Sequence, residues 1–183
     1  MGQLLRTERL VLRPVTAGDH GALLAHWTQP DVRRFLFDGA ALSAAEVAET
    51  IEESIRDFAA RGFGIWLIEL GSAAGLVGTA TGLDSTATGL VGTAGLRPLG
   101  GSGLEIFYSL APGAWGHGYA TEAARAVLEY GLGPLGLPEV LAEVDEGNAA
   151  SVAVVKRLGM TPYAVVPGLL GPMTRYRTTA ATA

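Results

Sequence analysis

Apolar positions along the chain follow two periods, and the switches between them outline the elements. Leu10-Val11-Leu12-Arg13 reads as a short strand ended by Pro14. Thr16 is placed to cap a helix bearing Leu23, Leu24 and Trp27, with Pro30 as its stop. Between Asp31 and Asp38 the pattern is mixed, with Val32, Phe35, Leu36 and Phe37 set among Arg33 and Arg34. Ser43 and Glu46 form a capping box, in which each side chain satisfies the other's free backbone amide. Val47, Ile51, Ile55 and Phe58 then recur at helical spacing, and Gly62 ends the run. Ile65 to Leu70 is a strand by composition.

The middle of the chain repeats itself. Gly75-Leu76-Val77-Gly78-Thr79-Ala80 returns fourteen positions later as Gly89-Leu90-Val91-Gly92-Thr93-Ala94. A solenoid needs at least about three repeats, so the pair reads as a local tandem duplication, with residues 75–88 as the inserted piece. One copy is a scaffold strand and the other an extra strand or loop. Leu104 to Leu110 is the next strand, followed by glycines and Pro112. A helix is predicted from about Thr121 to Tyr130, with Ala124, Val127 and Leu128 inward and Gly131 as its end. Val140 to Val144 is a strand, Asn148 caps a helix carrying Val152, Val155 and Leu158, and Gly159 ends it. Two short strands close the chain near Tyr163–Val166 and Met173–Thr178. Helices and strands that do not strictly alternate predict a mixed α/β sheet, and 183 residues predict one domain.

Composition narrows the function classes. Apolar residues make up 49% and charged residues 17%, so the chain carries enough apolar surface to fold. The net charge is −5 and there is no basic run, which argues against nucleic acid or an anionic membrane as partner. Cysteine is absent, excluding disulfides, thiolate nucleophiles and Cys-ligated zinc. His20, His26 and His117 are not spaced as metal ligands, so no metal is expected. No apolar stretch approaches the roughly 18 residues of a membrane-spanning helix, and a cytoplasmic protein is expected.

The stretch with chemical content is Trp115-Gly116-His117-Gly118-Tyr119-Ala120-Thr121-Glu122-Ala123. It joins a strand to a helix, and its glycines permit close backbone approach to a ligand. The free amides and positive dipole end of the helix suit a phosphate. On the residues alone a ligand-free turn remains open. So does a dinucleotide turn, although Thr121 stands where that motif has its third glycine.

This stretch resembles the acetyl-CoA pyrophosphate loop of the GNAT superfamily of N-acetyltransferases, especially the branch of the ribosomal-protein N-terminal (Rim-type) acetyltransferases. Three further segments agree in the family's order. Leu10-Val11-Leu12-Arg13-Pro14 resembles its opening strand, and Gln29 to Leu36 its substrate-side segment. Asn148-Ala149-Ala150-Ser151 with Lys156-Arg157-Leu158-Gly159-Met160 resembles its last helix. The resemblance implies a central, mostly antiparallel twisted sheet of about seven strands with flanking helices. It also implies a splayed strand pair that holds the cofactor.

The same resemblance implies roles. Trp115, Gly116, His117, Gly118, Tyr119, Ala120 and Thr121 would surround the pyrophosphate, chiefly through amides. Tyr108, Ser109 and Leu110 would splay from Val140–Val144, so that pantetheine pairs with backbone as an added strand, and Asn148 would bond the pantetheine arm. The implied reaction is direct acetyl transfer from acetyl-CoA to a primary amine, on a peptide N-terminus or a small molecule. Such a transfer needs a base for the amine proton and an acid for the leaving thiolate. Glu105 is the candidate base. The family's tyrosine acid would fall at Val155, which leaves Ser151 as the substitute acid. Trp27, Arg33, Arg34, Phe35 and Phe37 are candidates for the acceptor side, the arginines favouring an acidic group beside the amine. A non-catalytic acyl-CoA-binding or sensory domain on the same scaffold is the alternative, and a homodimer is left open.

Overall fold

The computed structural model describes residues 3–37, 39–71 and 89–180. The predicted mixed sheet is present, with eight strands among the described residues: β1 (Leu5–Arg6), β2 (Leu10–Pro14), β3 (Ile65–Leu70), β4 (Leu90–Pro98), β5 (Leu104–Leu110), β6 (Glu139–Asp145), β7 (Thr161–Gly168) and β8 (Gly171–Thr179). Their order across the sheet is β1-β2-β3-β4-β5-β6-β8-β7. Every neighbouring pair is antiparallel except β5 and β6, which are parallel.

Helices α1 (His20–Trp27), α2 (Pro30–Leu36) and α3 (Ala44–Arg61) connect β2 to β3, while α4 (Tyr119–Leu132) and α5 (Ala149–Arg157) flank β6 in sequence. The two faces of the sheet carry separate cores. Leu23, Trp27, Val32, Val47 and Ile51 meet Ile65, Leu67 and Phe107 on one face. Ala123, Ala124, Val127, Val154 and Val155 meet Trp66, Ile68, Ile106 and Val140 on the other. Side chains alternate along a strand, so a strand covered on both faces is apolar throughout, as Ile65-Trp66-Leu67-Ile68 is.

Several predicted ends move. Pro30 opens α2 at its first turn, where a missing amide costs nothing, so it starts a helix as well as bounding one. Thr16 caps a single 3-10 turn, Ala17–Asp19, that leads into α1. Gly131 does not end α4 but lies inside it. A side chain there would crowd Leu96, Leu137 and Val140 at 3.3–3.4 Å. Gly62 ends α3 in the left-handed conformation, as expected.

The second hexapeptide copy supplies the start of β4; the first, Gly75–Ala80, lies outside the described residues. Gly92 in that strand has a packing reason. A Cβ there would sit 2.1 Å from the Ser109 carbonyl oxygen of β5 and 2.8 Å from the Leu110 Cα. Glycine thus permits the close approach of β4 to the strand that forms the site.

Candidate active site

The site begins where the sheet comes apart. Registered pairing between β5 and β6 is confined to Glu105↔Leu141. β5 stays paired to β4 through Leu110, and β6 to β8 through Asp145, so the two strands diverge while each remains anchored on its outer side. A cleft of about 440 Å³ occupies the divergence. Residues of β5 from Glu105 to Leu110, of β6 from Ala142 to Asp145, and of α5 from Ala149 to Ser151 line it, with Asp31, Arg34 and Phe35 of α2.

The alternation of β5 sorts its side chains. Phe107 belongs to the core beneath α1–α3, and Glu105 and Ser109 share its parity; Tyr108 packs toward α4 and α5. Glu105 is buried and accepts a hydrogen bond from Arg97 Nε at 2.7 Å. Burial pushes its carboxyl above the ordinary carboxylate range, with Arg97 pulling the other way and the charge of Glu143 adding to the rise. Ser109 Oγ lies 2.9 Å from His26 Nε2 and 2.8 Å from Thr93 Oγ1, which accepts from Trp27 Nε1 at 3.3 Å. Tyr108 Oη donates to the Ser151 carbonyl at 3.3 Å, and burial raises its hydroxyl to about 12.

The glycine-rich loop closes one end of the cleft. Gly116 and Gly118 both hold φ of 79°, a left-handed conformation that suits glycine, and Gly118 is the N-cap of α4. The predicted start at Thr121 therefore moves to Tyr119, and the free amides of the first turn open toward the loop. Trp115 Nε1 donates to the Leu110 carbonyl at 2.9 Å, which lays the half-exposed indole against the end of β5. His117 stacks on Tyr119, ring centroids 5.4 Å apart.

Arg9 braces this loop and was not visible as a site residue from the sequence. Its Nη1 donates to the His117 carbonyl, its Nε and Nη2 engage Glu122, and its guanidinium lies over the Tyr119 ring. Arg9 just before β2 and the loop are more than a hundred positions apart, so no local pattern pairs them. Arg97, Glu143 and His26 were missed because strand register and packing, not a motif, bring them to the site.

Asn148 caps α5, its Oδ1 accepting from the Ser151 amide at 3.1 Å. Ser151 is therefore not the cap, and it stands on the cleft wall. Val155, where the resemblance would put the family's tyrosine, is fully buried in the core. On the acceptor side the candidates separate. Arg34 and Phe35 line the cleft. Arg33 turns to the Gly39 carbonyl. Trp27 is 1% exposed and lies in the core, and the half-buried Phe37 packs edge-on against it; neither lines the cleft. Among the described residues no group of three metal-ligating side chains is found, and no helix is long and apolar enough to cross a membrane.

Residues 9–161 match the acetyltransferase (GNAT) domain model. The uncharacterized N-acetyltransferase YoaA of Bacillus subtilis is 30% identical over 176 residues, covering 91% of this chain and 87% of its own. A shorter match to YkkB of the same organism is 46% identical over 57 residues, which span 31% of this chain and 33% of that protein. A solved acetyltransferase from Agrobacterium tumefaciens superposes with a TM-score of 0.78 at 26% identity, covering 97% of this chain and 95% of the other. RimL, a ribosomal L7/L12 alpha-N-protein acetyltransferase solved with coenzyme A, superposes with a TM-score of 0.74 at 15% identity, covering 97% and 98%. At that identity the likeness is one of fold.

Proposed function

This chain belongs to the acetyltransferase (GNAT) domain family, and from that premise we propose that it transfers the acetyl group of acetyl-CoA directly to a primary amine. The observation that carries the reading is the single-pair junction of β5 and β6, opening into a cleft with a glycine-rich helix N-terminus at its mouth. That is the shape a long, extended thioester with a pyrophosphate needs. The RimL neighbour holds coenzyme A on the same fold.

In this reading the amides from Gly116 to Thr121 receive the pyrophosphate. The edge of Tyr108-Ser109-Leu110 pairs with the pantetheine, and Trp115 covers it. The Asn148 carbonyl oxygen is used by the cap, which leaves its side-chain NH₂ to donate to the pantetheine arm. Acetyl-CoA brings the activated acyl group, and the chain supplies alignment and proton movement.

An ammonium cannot attack, and an α-amine titrates at about 7.7–8.0, so a proton must leave before the carbon–nitrogen bond forms. Glu105 takes it, directly or through water. A carboxyl raised by burial is a better base near neutrality than an exposed one. After attack the nitrogen still carries one proton too many for an amide; as the thioester carbon–sulfur bond breaks, Ser151 gives its hydroxyl proton to the thiolate and recovers that nitrogen proton through water, so the hydroxyl is restored. The acceptor is a peptide N-terminus or a small-molecule amine, approached from the side of Arg34 and Phe35.

The core position of Val155 favours a second reading, an acyl-CoA-binding domain without turnover. Calorimetry with acetyl-CoA, together with thiol release across a panel of peptide and small amines, decides between them. Binding with amine-dependent thiol release supports transfer. Binding with no release from any amine supports the second reading, and absence of binding removes both.

A further inference from the structure

Four strands carry a row of charges that converges on Glu105. Arg97 of β4 stands opposite Glu105 of β5 in register, and Arg175 of β8 stands opposite Glu143 of β6. Between the two pairs runs the β5–β6 gap, and Glu105 is itself the residue at its closed end. The order across the sheet is therefore cation, carboxylate, carboxylate, cation. Arg97 Nε holds Glu105 Oε1 at 2.7 Å, and Arg175 Nε holds Glu143 Oε1 at 2.5 Å.

The two halves of the row are not equivalent. The Glu105 side chain is 7% exposed, against 15% for Glu143. Desolvation and the facing charge of Glu143 both oppose ionisation of Glu105. Arg175 lies beyond Glu143, and its influence reaches Glu105 without a contact. From α2, Asp31 and Arg34 face the same cleft with opposite signs, and Asp145 faces it from the far end of β6. Arg97 is the cation in direct contact. It approaches from solvent, 45% exposed, and is steadied by the Phe107 ring 5.1 Å away. Its contact with the carboxylate is made through Nε, which holds one oxygen.

We propose that Arg97 is a positioning residue for acetyl transfer: it keeps the Glu105 carboxylate ionised and fixed at the closed end of the β5–β6 gap, against the opposing charge of Glu143. This rests on the reading of Glu105 as base. Without Arg97, desolvation and the charge of Glu143 act on Glu105 unopposed by a contacting cation, so the carboxyl holds its proton to higher pH. Arg97 thereby sets the lowest pH at which transfer runs, acting through Glu105.

Two measurements on the full chain test this separately. The first is a carbon-13 titration of the Glu105 side-chain carboxyl, assigned by its disappearance in Glu105→Gln. The second is the pH profile of kcat/KM. Arg97→Gln is expected to move the carboxyl midpoint upward by about one pH unit, the lower end of what an adjacent opposite charge does to a carboxyl. The acid limb of the rate profile should move with it, so activity below the limb falls about tenfold while the plateau is largely kept. Arg97→Lys should restore at least half of both shifts, and Glu143→Gln should move both downward. The surface position of Arg97 makes a folded variant the expected outcome, checked by thermal melting. An unmoved midpoint in folded Arg97→Gln overturns the proposal, as does a plateau that falls with no shift of the limb. A midpoint that moves while the limb stays shows the Arg97–Glu105 coupling and removes the base reading beneath it. A limb that persists in Glu105→Gln removes the base reading directly.

Discussion

His26 Nε2 and Ser109 Oγ meet at 2.9 Å beneath the strand that forms one wall of the cleft. His26 is 2% exposed, its Nδ1 has no hydrogen-bond partner among the described residues, and desolvation pushes its pKa down to about 4. The imidazole is therefore neutral, and the sign of its effect follows. Below its ordinary value of 6.5 the unfolded chain takes up a proton that the folded chain refuses, so stability is lost as pH falls from 6.5 toward 4. At ~1.4 kcal/mol per pH unit the full loss is about 3 kcal/mol. Urea unfolding at about pH 7 and about pH 5 should show a smaller acid loss in His26→Gln than in wild type. Equal losses would show that His26 does not carry this dependence.

Gly118 is the second conformational constraint. Its φ of 79° is strained for any residue with a side chain, and a Cβ would lie 3.5 Å from Arg9 Nη2. Gly118→Val should weaken acetyl-CoA binding roughly ten- to hundredfold, the equivalent of one or two unmade hydrogen bonds at ~1–3 kcal/mol. Titration calorimetry on the folded variant checks this; unchanged affinity would show that the loop amides do not hold the ligand.

Asn148 caps α5, so replacing the Ser151 side chain removes no cap and tests its role as acid alone. Ser151→Ala should leave melting temperature nearly unchanged and lower kcat by about 10²-fold, the lower end of general acid contributions. Acetyl-CoA affinity should hold. A variant with wild-type kcat means that thiolate leaves without this hydroxyl.

The structure divides the Arg33-Arg34 pair. Arg34 lines the cleft, while Arg33 is committed to the Gly39 carbonyl. Peptides with an acidic second residue should be acetylated faster than basic ones, and Arg34→Ala should erase that preference while Arg33→Ala keeps it. Matched peptide rates in the three proteins decide the point; no acidic preference in wild type removes this role from Arg34.

Deleting residues 75–88 removes one hexapeptide copy and leaves the copy that forms the start of β4. Five residues then join Leu70 to Leu90, a length found in hairpin loops. Since long insertions are cheap to close, their loss is cheap as well. Circular dichroism and melting of the deletion variant should match wild type to within a few degrees. A chain that fails to fold would mean that both copies are structural.

Local signals account for most of the fold that was legible. Ile65–Leu70 and Leu104–Leu110 come out with the predicted bounds because glycine or proline lies just outside them and the residues within, Glu69, Glu105 and Ser109 apart, are apolar or aromatic. The Ser43–Glu46 capping box marks the start of α3 because both of its bonds are made within three residues. β1 was not legible: its two residues have no period of their own and exist only as partners of Val11 and Leu12. The cleft was half legible. The loop and α5 announce themselves by glycine spacing and the Asn148 cap, yet what surrounds Glu105 comes from three other strands. Trp27 and Phe35 look alike in sequence, and only packing sends one to the core and the other to the cleft.

The parting of β5 from β6 has a dynamic consequence. β1 to β5 form one continuous ladder, and β6 to β8 form another. Between them the sheet is stitched by one residue pair and by α4, whose buried face spans strands of both. One core joins the two ladders beneath α4, so the weakness lies along the facing inner edges of β5 and β6. Amides on the inner edges, from Ile106 to Leu110 and from Ala142 to Asp145, should exchange with deuterium faster than those on the outer edges of the same strands. A ligand that spans the gap would slow that exchange.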